Sequence, residues 1–295
     1  MNILVTGANG QLGTELRLLP RKRGYRYIFS DISSRPGEET LFLDITNLEA
    51  IRLIAASEKI DVIVNCAAYT DVDKSEGDQA MADLLNHQGA ANLARAAAER
   101  GAAMIHISTD FVFGGDNVNT PIRESFPPNP LGVYGATKLL GENAVRESGC
   151  RSIIIRTAWL YSPWGKNFVK TMMRLTAERD SLMVVSDQIG TPTSAHDLAA
   201  LIGGIITGGK LDRTGTYHFS NEGACSWYDF ACAIRDLAGN TCNIRPCHSN
   251  EYPSKARRPA YSVLDKTLVK ETFGVEIPHW FASLRDCISR IQDKA

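Results

Sequence analysis

The stretch Met1–Thr14, MNILVTGANGQLGT, decides how this chain is read. Asn2–Thr6 is a short apolar run and predicts a strand, while Gln11–Leu19 is amphipathic and predicts a helix. Between and just beyond them Gly7, Gly10 and Gly13 follow a G-x-x-G-x-x-G spacing. The first two glycines permit a tight turn and a close backbone approach to a phosphate, and Gly13 lets the helix pack closely on the sheet. The N-terminus of the helix adds unpaired N–H groups and a partial positive charge. Strand, glycine turn and helix together predict a dinucleotide site, with Asn9, Gln11 and Leu12 in the same loop.

The next strand, Tyr25–Ser30, ends at Asp31, 18 residues after Gly13. A carboxylate there accepts bonds from ribose hydroxyls and repels a 2′-phosphate, which favours NADH. Arg35, four residues on in SSRPGE, can meet a 2′-phosphate, so the expected cofactor is NADH or NADPH. Asp44 and Ile45 in LFLDIT follow a third strand-like run and suit an adenine ring, although Asp44 is equally placed to cap a helix at Leu48.

Working outward, Leu48–Glu58 predicts a helix, Asp61–Cys66 a strand, Asp83–Arg100 a helix, Ala103–Ser108 a strand, Tyr134–Glu147 a helix and Ser152–Arg156 a strand. Apolar strands alternating with helices predict an α/β fold: a doubly wound, Rossmann-like parallel sheet covered on both faces. After residue 157 the pattern loosens. Helices are expected at Phe168–Ala177, His196–Ile206, Trp227–Leu237 and Trp280–Ile291, a strand at Tyr217–Ser220, and a Pro-, Lys- and Arg-rich loop at Tyr252–Tyr261. The expected organisation is a dinucleotide-binding domain over 1–157 and a smaller α/β substrate-binding lobe over 158–295, with about 187–220 returning to the first domain.

Composition narrows the function. The chain has 295 residues, 44% hydrophobic and 22% charged, which excludes a disordered or collagen-like protein. With 32 basic and 33 acidic residues the net charge is −1, so neither nucleic-acid nor membrane-surface binding is expected. No apolar run reaches the ~18–20 residues of a membrane span. The fold begins at Asn2 without a leader, and a cytoplasmic location is the default expectation. Seven cysteines at irregular spacings, with no C-x-x-C pair, argue against disulfides. Cys242, Cys247 and His248 lack the second ligand pair of a closed zinc site.

The candidate chemistry lies in YGATK. Tyr134 and Lys138 stand at i and i+4, on one helix face. A free tyrosine titrates near pH 10. An ammonium about 4 Å away contributes about 4 kcal/mol at an effective dielectric of 20, or roughly 3 pKa units. Such a pair is expected to exchange protons near neutral pH. Ser108, Thr109 and Asp110 end the preceding core strand, where an open α/β sheet lines its ligand crevice. One hydroxyl there is expected to bond a substrate carbonyl, Thr109 by preference and Ser108 as the alternative, because neighbouring strand residues face opposite sides.

These residues resemble the extended branch of the short-chain dehydrogenase/reductase superfamily, and within it the dTDP-4-dehydrorhamnose reductases. Besides the glycine loop, the resemblance is carried by NCAAYTDVDKSE at 65–76, ISTDFVFGG at 107–115, PLGVYGATKLLGE at 130–142, RTAWLY at 156–161, DQIGTPTSAHDLA at 187–199 and RRPAYSVLD at 257–265. It implies hydride transfer from NADPH or NADH to C4 of dTDP-4-dehydro-6-deoxy-L-mannose, giving dTDP-L-rhamnose. Tyr134 would donate the proton, Lys138 would tune Tyr134 and bond the nicotinamide ribose, and Thr109 would polarise the carbonyl. Ala67, Ala68 and Tyr69 would border the cofactor. Thr70, Asp110, Phe111 and Val112 would contact the sugar, Trp159 would wall its pocket, and Arg258 would meet the diphosphate. The resemblance also implies that some relatives are homodimers bridged by Mg²⁺ through acidic side chains. Glu15 fits one such position, but His196 stands where a second carboxylate is expected, and magnesium prefers oxygen ligands, so Glu15 is a weak metal candidate. Competing expectations are a nucleotide-sugar epimerase and a non-catalytic regulatory homologue on the same fold.

Overall fold

A computed structural model describes residues 1–116 and 118–293; the last two positions of the expected second lobe lie outside the described residues. Its centre is a seven-stranded sheet in the order Gly215–His218, Arg151–Thr157, Ala103–Thr109, Val62–Asn65, Asn2–Thr6, Arg26–Asp31, Leu41–Phe42. Every pairing in it is parallel. The strand order reverses between Asn2–Thr6 and Val62–Asn65, the switch point at which doubly wound sheets open a ligand crevice.

The strands are apolar on both sides because both faces are covered. Alternate residues separate onto two cores. Ile3, Val5, Val62, Val64, Ile105 and Ile153 pack with Leu12, Leu16, Leu198 and Ile202 on one face. Leu4, Ile63, Met104 and Ile154 pack with Ile51, Leu93, Ala94 and Val145 on the other. Helix Ala195–Thr207 thus lies on the same face as helix Gln11–Leu18, and Gly215–His218 extends the sheet beside Arg151–Thr157.

The structure departs from the sequence expectation in several elements. The helix expected at Asp83 starts earlier, at Gln79, and passes through a π-turn at Leu84–Gln88 before running straight to Arg100. Asp83 suggested a start because aspartate is a common N-cap. Here its carboxylate bonds His87 and Gln88 inside the helix instead. The third strand shrinks to Leu41–Phe42, an exposed sheet edge. A parallel pair, Ser181–Val185 with Asn243–Cys247, carries too short a pattern to be read in advance. Between this pair and helices Phe168–Glu178, Trp227–Ala238 and Trp280–Gln292 lies a separate aromatic core of Tyr161, Phe230, Trp280, Ile234 and Leu284.

Candidate active site

A cleft of about 950 Å³ opens over the carboxyl ends of the sheet strands and spans both halves of the chain. Gly7, Gly10, Gln11, Leu12 and Asp31 line one end, and Thr109, Asp110, Phe111, Tyr134 and Lys138 the other.

The first end is built from backbone. Gly7 has φ +63°, and a Cβ there would lie 2.6 Å from the amide nitrogen of Ala67. A Cβ on Gly13 would lie 2.5 Å from both the Gly7 carbonyl oxygen and Ala8 Cα. The loop therefore closes only without side chains at these two positions. Helix Gln11–Leu18 begins at Gly10 with no side-chain cap, which leaves its first N–H groups for an anion. This cradle fits a pyrophosphate. The Asp31 carboxylate accepts the Asn9 N–H at 3.0 Å and the Ser33 N–H at 3.0 Å, fixing the loop that carries Arg35. Arg35 in turn donates to Thr14 and to the Asn9 carbonyl.

The second end is built from side chains. Strand alternation separates the two hydroxyl alternatives. Ser108 Oγ donates to Glu142 Oε1 at 2.6 Å in the interior, whereas Thr109 turns toward Tyr134 and bonds its phenol. Thr109 also accepts the Phe111 N–H at 3.1 Å and donates to Asp110 Oδ1 at 3.1 Å. The Phe111 ring meets the Tyr134 ring edge-on at 5.6 Å. Lys138 is buried, and its Nζ donates to the Ile107 carbonyl at 2.6 Å.

The electrostatics correct the simple pair picture. Burial pushes the Tyr134 phenol up to about 12, with the Asp110 carboxylate adding to the rise and Thr109 opposing it. Burial pulls Lys138 down to about 8, with Glu142 and Cys66 opposing. Desolvation is the largest cause at both members, and neither shift is driven by the other residue. Tyr134 therefore holds its proton at neutral pH, as an acid must. Burial also lifts Asp110 to about 6.

Trp159 closes the cleft. Its φ is +47°, a left-handed conformation unusual for a bulky residue. Its ring stacks on Trp227 with centroids 3.5 Å apart. The other side rests on Gly190, where a Cβ would come within 2.7 Å of the indole. Arg258 also lines the cleft, with its guanidinium donating to Asp73 at 2.7 Å.

Of the residues named from sequence, Asp44, Ile45, Ala67, Ala68 and Thr70 also reach the cleft. Four of the expected cofactor- and sugar-contacting residues do not line it. Asn9 and Gly13 act inside the loop, and Asn9 donates to the Ser33 carbonyl at 2.7 Å. Tyr69 turns its hydroxyl to Asp78 at 3.0 Å. Val112 is buried with Phe113, Ile122 and Leu264. Asp44 is not the cap of helix Leu48–Ser57; Asn47 is, and Asp44 bonds Thr46 instead. Glu15 is fully buried and accepts Arg290 at 2.7 and 2.9 Å and Trp164 at 2.8 Å, with His196 at 3.3 Å. Its oxygens are thus taken by an in-chain cation, and the set does not fit a magnesium ion, which needs several oxygen donors. Lys166, Asn167 and Trp227 line the cleft and were missed. For Lys166 and Asn167 the signal was the SPWGKN turn just beyond the Arg151–Thr157 strand, where crevice residues gather.

Known proteins match this chain over nearly its whole length. The family described as the RmlD substrate binding domain matches residues 1–293. A dTDP-4-dehydrorhamnose reductase of Aggregatibacter actinomycetemcomitans is 40% identical over 294 residues, covering 96% of this chain and 97% of that protein. The crystal structure of a dTDP-4-dehydrorhamnose reductase from Clostridium acetobutylicum has a TM-score of 0.92 and 42% identity, covering 99% of this chain and all of the other. That of a dTDP-4-dehydrorhamnose reductase from Bacillus anthracis in complex with NADP has a TM-score of 0.89 and 36% identity, covering 98% of this chain and 99% of that one.

Proposed function

We infer that this chain, which belongs to the family described as the RmlD substrate binding domain, is an NAD(P)H-dependent oxidoreductase that reduces the C4 ketone of dTDP-4-dehydro-6-deoxy-L-mannose to dTDP-L-rhamnose, the last step of dTDP-rhamnose biosynthesis. The observation that carries the reading is that Thr109, Tyr134 and Lys138 open onto one cleft with the uncapped helix at Gln11.

The reduced nicotinamide supplies the hydride. Gly7, Gly10 and the free N–H groups of helix Gln11–Leu18 hold the pyrophosphate, Asp31 the adenosine ribose, and Asp44 with Ile45 the adenine. Ala67 and Ala68, small side chains at the switch point, leave room for the cofactor to cross the sheet. Thr109 orients the sugar carbonyl against Tyr134. Tyr134 gives its proton to the oxygen as negative charge develops there, a contribution worth typically 10²–10⁴-fold. Lys138 presents its ammonium beside that oxygen and to the nicotinamide ribose, and below about 8 it carries the positive charge that favours the departing phenolic proton. Thr70, Asp110, Phe111 and Trp159 face the sugar, and Arg258 exchanges part of its pairing with Asp73 for the diphosphate. In this reading residues 1–157 hold the cofactor, 158–295 present the sugar wall, and about 187–220 return to the sheet.

The test is to supply the keto sugar, made in situ from its 4-dehydro-6-deoxy-glucose nucleotide by a 3,5-epimerase, and follow loss of NADPH or NADH absorbance. Stoichiometric oxidation that requires the epimerase is the expected result. An epimerase on this fold must keep NAD through its cycle and would purify with it bound; a regulatory homologue would bind dinucleotide without turnover.

A further inference from the structure

Behind the cleft, the helix that carries Tyr134 and Lys138 has a third member of the same stripe. Tyr134, Lys138 and Glu142 stand at i, i+4 and i+8 of helix Val133–Glu147. Glu142 has no exposed surface and makes four bonds. Oε1 accepts Ser108 Oγ at 2.6 Å and Arg156 Nε at 2.8 Å. Oε2 accepts Arg156 Nη2 at 2.7 Å and Arg146 Nη2 at 2.5 Å. Ser108 and Arg156 are register partners on neighbouring strands, and each immediately precedes a residue of the cleft, Thr109 and Thr157. Lys138 donates to the carbonyl of Ile107, the residue before Ser108.

Resting on the reductase reading, we propose that Glu142 is a positioning residue for the reaction: its carboxylate bolts the strand end that presents Thr109 to the helix that presents Tyr134 and Lys138, and it sets a negative charge one turn behind the Lys138 ammonium. Among the described residues Glu142 makes its hydrogen bonds to Ser108, Arg146 and Arg156 and none to Tyr134 or Thr109, so it acts through Ser108 and Lys138.

The charge balance around this bolt is one-sided without it. Glu142 is faced by Arg146 on its own helix, Arg156 on one strand, His218 on the next, and His106 on the strand of Thr109. Lys138 is faced by Glu142, by Cys66 beyond strand Val62–Asn65, and by His106. His106 and His218 are buried and held neutral by desolvation. Glu124 and Asp265 lie on the far side of this cluster, Glu124 against Arg156 and both against His218. Of the carboxylates only Glu142 acts on Lys138, and against the cost of burial its paired guanidinia keep it ionised down to about 2. Neutralising it removes the one carboxylate that acts on Lys138 and leaves Arg146 without its ion-pair partner and Arg156 with only the more distant Glu124, so Lys138 must lose its proton more readily.

The experiment measures kcat and both KM values across pH for three variants alongside the unaltered enzyme. Ser108→Ala keeps the ion pairs and removes the tether to the strand. Glu142→Asp keeps the charge and draws the carboxylate back by one methylene. Both are expected to lose about 10-fold or more in kcat, short of the ~10²-fold cost of a 1 Å misplacement, with the cofactor KM little changed. Glu142→Gln keeps the shape and removes the charge. It is expected to lose kcat as well and to move the alkaline limb of the profile, set by Lys138 near 8 in the unaltered enzyme, down by about one unit or more. Glu142→Asp should leave that limb in place. Ser108→Ala and Glu142→Asp decide the matter even if Glu142→Gln does not fold. Unaltered kcat in both overturns the proposal, as does a Glu142→Gln limb that coincides with that of the unaltered enzyme, since a scaffold residue would cost stability without moving it. An unaltered enzyme that oxidises no cofactor with the keto sugar overturns the reductase reading itself.

Discussion

The two ends of the cleft are made from different materials. The phosphate end is backbone: turns, bare N–H groups and glycines whose missing Cβ atoms leave the space. The chemical end is side chain: a hydroxyl, a phenol and an ammonium held by a dry network behind them. A backbone site depends on shape and fails when atoms are added. A side-chain site depends on proton placement and fails when single atoms are removed. Tyr134→Phe removes one oxygen, should leave dinucleotide affinity as it is, and should cut turnover by about 10²–10⁴-fold. Near-normal turnover in that variant would take Tyr134 out of its role.

The complementary change adds atoms at the other end. Gly13→Ala puts a methyl 2.5 Å from the Gly7 carbonyl and Ala8 Cα, both backbone, so neither can rotate away. Dinucleotide affinity should fall by about 10²-fold, two factors of ten at 1.4 kcal/mol each. Isothermal titration with NADPH checks it, and unchanged affinity would mean that the loop does not form the cofactor cradle.

This contrast also explains what could be read in advance. Gly7, Gly10 and Gly13 are legible because glycine is chosen for what its backbone can do, and a glycine turn between a strand and a helix has few other uses. The parallel sheet was legible because strands buried on both faces are apolar throughout, as in Val62–Asn65. Ser108 and Thr109 looked alike in sequence; only the pleat decides which one meets Glu142 and which one Tyr134. Lys138 was expected to draw the Tyr134 phenol toward neutral pH, but desolvation of each is a property of the fold around them and leaves no mark in Y-x-x-x-K. Lys166 and Asn167 sit in the SPWGKN turn beyond the Arg151–Thr157 strand, a local signal, whereas Trp227 reaches the cleft from a distant helix that no local pattern ties to it. Tyr69 and Val112, by contrast, sat inside resembling segments yet turn away from the cleft.

A smaller effect is expected where the sugar end borrows a side chain already in use. Arg258 is paired with Asp73. Its gain on meeting a diphosphate is therefore an exchange of one charged hydrogen bond for another, at the lower end of about 1.5–3 kcal/mol. Arg258→Ala should raise the KM for the nucleotide sugar about 10-fold with kcat nearly unchanged, the signature of lost uniform binding. A fall in kcat with constant KM would instead place Arg258 in the chemistry.

The last predicted change lies where the two materials meet, at Asp31. Its carboxylate is a side chain serving a backbone loop, holding the Asn9 and Ser33 N–H groups. Asp31→Ala should weaken both cofactors alike by loosening that loop, so absolute affinity does not isolate its role. The ratio does. A carboxylate about 4 Å from a 2′-phosphate costs about 1 kcal/mol per unit of charge in a water-like dielectric, and the phosphate carries nearly two. Removing it relieves this repulsion for NADPH only and leaves Arg35, already beside Asn9 and Thr14, as the charge nearest the ribose loop. The kcat/KM ratio of NADPH to NADH should rise about 10-fold, and more at low ionic strength, where exposed charges are less screened. A ratio that stays constant while both values fall would show that Asp31 serves the loop alone, and that cofactor choice is set by Arg35 and the backbone.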